Sequence, residues 1–139
     1  MSERIDEGAA SERTLARLRA VRAGLLRLHK VLLDAEREDY ESAHGRVSPG
    51  ELLRLAIGGR QFAWLRALSE LIVEIDEALA AKTPATEADA EALVAQAREL
   101  LRPSEDGDEF ARMYFAALQR DPAAVMAHRE ATRLLSAGE

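Results

Sequence analysis

Apolar residues recur along this chain at helical rather than strand spacing. Thr14, Leu18, Val21, Leu25, Leu28, Leu32 and Ala35 follow at alternating steps of four and three, with Leu15, Leu26 and Leu33 as a flanking row. That period predicts one long amphipathic helix from a cap at Ser11 to about His44, on the order of 50 Å long. Gly45 is placed to end it, and Gly45-Arg46-Val47 makes a short turn. Ser48-Pro49-Gly50-Glu51 then reads as a helix start: a serine cap, a first-turn proline and a glutamate completing a capping box. Leu52, Leu53, Leu55, Ala56 and Ile57 crowd the next turns before Gly58-Gly59 interrupts them. Phe62, Leu65, Leu68, Ile72, Ile75 and Leu79 form a second seam, widened by Leu71. The glycine pair predicts a kink or short break in this second arm, since each glycine costs about 1 kcal/mol in a helix interior.

Three shorter helices are expected beyond Lys82. The first, over 86–102, is capped by Thr83 or Thr86, carries the row Ala90, Leu93, Ala97 and Leu100 with Val94 and Leu101 beside it, and is stopped by Pro103. The next, over 107–120, buries Phe110, Met113, Tyr114 and Ala117, with Ser104 or Asp106 as its cap. Asp121-Pro122 restarts the chain into a last helix over 122–136.

No segment alternates with period two, so the expected fold is all-α. It is an up-down helical bundle built on a long antiparallel helical hairpin, Ser11–His44 against Ser48–Ala81, with four-helix-bundle-like packing. Residues 1–10 are expected to be a disordered N-terminus and 11–136 a single helical-bundle domain. The expected core is Leu18, Val21, Leu25, Leu28, Leu32, Leu65, Leu68, Ile72, Ile75, Leu93, Leu100, Phe110, Tyr114 and Leu134. Counting outward from the turn sets Arg22 level with Glu70, Arg17–Arg19 level with Glu74, and His29 and Lys30 level with Phe62.

Composition narrows the function. The 139 residues contain no cysteine, which removes disulfides, thiolate metal sites and cysteine catalysis. A net charge of -6 disfavours nonspecific nucleic-acid binding, so the basic stripe Arg13–Lys30 is expected to be answered within the fold. No apolar run approaches a membrane span, and the polar N-terminus does not read as a signal peptide, so no membrane partner and a cytoplasmic location are expected. Arginine outnumbers lysine 17 to 2, which suggests a GC-rich bacterial genome.

Candidate chemistry is sparse. His29 and His128 sit at the edges of apolar faces, and His44 lies at a helix C-terminus, where an imidazole suits the dipole. Glu41 and His44 have the spacing of a di-metal bundle motif, but a second such pair is missing and no metal is expected. The acidic loop Glu105-Asp106-Gly107-Asp108-Glu109 lacks the pattern of a calcium loop and reads as a helix start. No nucleophile elbow or catalytic constellation is present, so no catalytic residue and no cofactor are expected. One candidate ligand pocket remains, near His29, Phe62 and Trp64.

The wording LLDAEREDYESAHGRVSPGELL and then FAWLRALSELIVEID at Leu32–Ile75, and PSEDG with a later DP between Leu101 and His128, resembles a group of short uncharacterised bacterial helical proteins. The resemblance implies an all-α soluble protein and carries no activity or site residues. The heptad-like seams and the absence of a catalytic constellation lead to the function expected: a non-catalytic interaction or regulatory module that binds a protein partner or itself. A small-ligand or cofactor bundle is the alternative.

Overall fold

A computed structural model describes residues 8–137. It is all-α. The elements are α1 (Glu12–His44), α2 (Pro49–Gly58), a 3-10 segment (Arg60–Leu65), α3 (Arg66–Ala80), α4 (Glu87–Leu100), α5 (Glu109–Arg120) and α6 (Pro122–Ser136). No strand occurs among the described residues; Ala9 makes one isolated antiparallel bridge to Thr86. Within the stretch expected to be disordered, Ala10 also donates its N–H to Ala85 O at 2.9 Å; residues 1–7 lie outside the described residues.

The caps are those the sequence marks, with one exception. Ser11 accepts from Thr14 N, Ser48 and Glu51 form a reciprocal capping box with Pro49 in the first turn, Thr86 does the same with Asp89, and Asp121 caps α6 ahead of Pro122. For α5 the cap is Asp108, accepting from Ala111 N at 3.0 Å, not Ser104 or Asp106. Ser104 Oγ instead accepts from Asp106 N within the loop. Each such cap contributes about 1 kcal/mol.

The 33-residue α1 is the spine, packing most extensively on α6 and α3 and also on α4. Leu18, Val21, Leu25, Leu28 and Leu32 are fully buried along its seam, each worth about 1.5–3 kcal/mol of apolar burial. Leu65, Leu68, Ile72 and Ile75 answer them from the second arm. On α4 and α6 the buried rows differ from expectation by one position: Val94 and Leu101 are buried where Leu93 and Leu100 are half-buried, and Leu135 replaces Leu134. Helix α6 comes close to α1 because Gly24 stands at the crossing; a Cβ there would lie 2.8 Å from Leu134 Cδ1. Two arginines, Arg17 and Arg98, donate to Leu135 O and close the C-terminal end of α6.

The hairpin register departs from the expected one. Arg22 pairs with Asp76, six positions beyond Glu70. His29 meets Ser69 and Glu36 meets Trp64. The cause lies in the first part of the second arm. Helix α2 has no buried residue and packs on the 3-10 segment rather than along α1. Its residues add chain without adding travel along α1, so the second arm is several residues behind when α3 begins.

The break itself is fixed by Gly59. Its φ of -75° and ψ of 138° are ordinary, but a Cβ would sit 2.6 Å from Leu55 O, the carbonyl its own N–H caps at 2.7 Å. Gly58 has nothing within 4 Å of the same position. Gly59→Ala is therefore expected to lower stability by about 1–3 kcal/mol, while Gly58→Ala, which extends helix propensity at the end of α2, is neutral or stabilising by up to about 1 kcal/mol. Urea midpoints of the two variants give the comparison; equal effects would show that the close approach is not what requires the glycine.

Candidate functional site

The most unusual side chain in the core is Glu36, only 4% exposed. It occupies the position four residues after Leu32, where the α1 seam continues toward the hairpin end. Its Oε1 accepts from Trp64 Nε1 at 3.1 Å and its Oε2 from Gln61 Nε2 at 2.8 Å. Arg120 of α5 stands 3.7 Å from Oε1. Gln61 also reaches Glu36 O and Asp39 Oδ2. The carboxylate is thus fully partnered, as a buried charge must be, and it pins the 3-10 segment to α1.

From Trp64 a line of tilted and edge-on rings crosses the bundle. Its ring centroid lies 5.5 Å from Phe110, Phe110 lies 5.3 Å from Tyr114, and Tyr114 lies 5.4 Å from His128. The Tyr114 hydroxyl contacts His128 Nδ1 at 2.5 Å. Burial pushes the Tyr114 phenol far above its ordinary range and pulls the His128 imidazolium down. A neutral phenol and a neutral imidazole follow, so the hydroxyl donates and Nδ1 accepts.

A separate cavity of about 300 Å3 opens on the other side of the hairpin. Its apolar lining is Leu33 from α1, Ala56 and Ile57 from α2, Phe62 and Leu65. Its polar groups are His29, Ser69 and Arg66. His29 Nε2 is 2.8 Å from Ser69 Oγ, and Ser69 Oγ is 3.3 Å from Leu65 O. A hydroxyl has one proton; given to Leu65 O, it leaves Oγ to accept from Nε2–H. Both contacts are therefore made when neutral His29 carries its proton on Nε2. Burial lowers the His29 pKa, which favours that neutral form.

Of the three residues expected to share a pocket, His29 and Phe62 line this cavity and Trp64 does not. Residues two apart in a helical segment face different sides. Phe62 turns toward the cavity and Tyr40, 6.1 Å away, while Trp64 turns toward Glu36 and Phe110. His44 stacks on Tyr40 at 4.2 Å. Glu41, its neighbour in the spacing motif, accepts from Val47 N and so braces the turn. Helix spacing marks the Glu36 position, but its charge argues against a core assignment. Tyr114 and His128 stand equally far on either side of Asp121, a symmetry that brings them level in an antiparallel pair and that the apolar pattern alone does not reveal.

Comparison with protein-family models, curated proteins and solved structures returns no match.

Two outcomes are expected. Glu36→Gln leaves one of its two N–H donors facing another donor, and should cost about 1–3 kcal/mol with a shift in Trp64 emission; an unchanged urea midpoint would contradict the pin. His29 and His128 both have folded pKa values below the ordinary 6.5, so the unfolded chain takes up protons first on acidification. Their contribution is complete above that value and is lost as pH falls below it. Urea midpoints should drop between about pH 7 and about pH 5, and a His29→Gln, His128→Gln double variant should flatten that drop.

Proposed function

We propose that this chain is a non-catalytic interaction module that docks a second copy of itself on the uncovered side of the α1/α3 hairpin together with α2. The observation that carries this reading is α2. Five of its ten residues (Leu52, Leu53, Leu55, Ala56, Ile57) are large or small apolar side chains, yet none is buried, and Leu53 and Ile57 are 62% and 67% exposed. The uncovered side of the hairpin continues the apolar surface. Leu26 lies three residues before His29 and Val73 four residues after Ser69, so both share the face defined by the His29–Ser69 contact. Both are exposed. Exposed apolar side chains grouped in this way on a small helical protein, here around the Arg22–Asp76 pair, mark an interaction surface.

Charge favours a second copy as occupant. The α1 edge of the face carries exposed Arg19 and Lys30, and the α3 edge carries exposed Glu70 and Glu77. A two-fold axis parallel to the helices lays the basic edge of each copy over the acidic edge of the other, an isologous arrangement. Lys30 and Glu70 each follow the His29–Ser69 contact by one residue on antiparallel arms, so their levels differ by only about 3 Å. The Lys30–Asp34 pair within α1 is an exposed i,i+4 contact, worth only about 0.3–0.5 kcal/mol and easily exchanged.

Sedimentation velocity over a micromolar concentration series tests the reading. The unaltered protein should sediment as a dimer at the upper end. Val73→Asp with Leu53→Asp should give a monomer with unchanged helical circular dichroism. Lys30→Glu should weaken the dimer, and adding Glu70→Lys should restore it. A monomer throughout the series, or a charge swap without restoration, would sink the proposal.

A further inference from the structure

We propose that the cavity between α1, α3 and the C-terminal end of α2 binds a small amphipathic monocarboxylate, with its anionic head at Arg66 and its tail against Leu33, Phe62 and Leu65. This goes beyond the docking reading and rests on the cavity alone. The volume of about 300 Å3 is at the lower bound of small-molecule sites and has room for about ten water-sized groups. Although the chain is acidic overall, among the described residues the lining includes no Asp or Glu, and Arg66 is its one charged side chain. Arg66 Nη2 donates to Ile57 O at 3.3 Å, a long neutral-acceptor bond. A carboxylate offers the same guanidinium a shorter charge-assisted bond, with a second available in bidentate geometry.

The rest of the lining selects the remainder of such a ligand. Five of the eight lining residues are apolar, so a second charge on the ligand would find no partner along that wall. His29 Nε2 and Ser69 Oγ are already bonded to one another, so neither atom asks for a polar tail. The wall formed by Ala56 and Ile57 belongs to a helix without a buried residue, so it can adjust to chain length at small cost. A bound tail would cover Ile57, the most exposed large apolar side chain of the described residues.

Amide NMR titration with octanoate, and with 1-octanol as the uncharged counterpart, tests this. Octanoate should shift the amides of Ile57, Leu65 and Ser69 saturably. Arg66→Gln should weaken octanoate about tenfold and leave 1-octanol unchanged; Ala56→Phe, which fills the cavity, should abolish both. Val73 does not line the cavity, so the Val73→Asp variant should retain octanoate binding whatever its oligomeric state. The proposal is overturned by the absence of a saturable shift, by shifts confined to other surfaces, or by equal losses of octanoate and 1-octanol in Arg66→Gln.

Discussion

The contact on which the rest of the structure depends is the buried carboxylate of Glu36, held by Trp64 Nε1 and Gln61 Nε2. A single charged side chain among apolar neighbours is tolerable only where its oxygens are partnered, and the partners must then stay where they are. Both donors belong to the 3-10 segment. That segment therefore has one place along α1, and α3, which continues from it, inherits the register seen in Arg22–Asp76 and His29–Ser69. Trp64 in turn offers its ring to Phe110, which brings α5 against the hairpin, and the ring series ends at the Tyr114–His128 bond that links α5 to α6.

The same constraint explains the exposed surface. The distance from the turn at Gly45 to the pinned segment is shorter than the chain between them would span as a straight helix along α1. The surplus is taken up by α2, which leans on the 3-10 segment without entering the core. Its leucines and isoleucine are left at the surface as a consequence of where the pin lies. Ala56 and Ile57 line the small cavity with Arg66 and His29, while Leu53 stands exposed outside it. The apolar face and the cavity thus have a common origin in the second arm.

Much of the fold is legible in the sequence because its signals are local. Ser11, Ser48, Thr86 and Asp121 cap as their neighbours dictate, and the seam from Leu18 to Leu32 is buried as its spacing requires. The parts that are not legible depend on contacts between distant residues. The α5 cap falls on Asp108 where the acidic loop offers several equivalent oxygens. The hairpin register follows from α2 leaving the axis, which no count along the chain contains. Glu36 sits at a core position by spacing and outside it by charge, and only the donors supplied by Gln61 and Trp64 decide between the two. The pocket residues divide the same way: His29 and Phe62 converge, whereas Trp64, close in sequence to Phe62, is turned to the opposite side.

Because the chain has no cysteine, the register can be measured with introduced pairs against a clean background. The most direct measurement compares air oxidation of Arg22→Cys with Asp76→Cys against Arg22→Cys with Glu70→Cys, read as intramolecular disulfide by mass spectrometry. The slipped register predicts rapid bridging in the first pair and little in the second. Preferential bridging to position 70 would place α2 along α1 and contradict the account of why its apolar face is open.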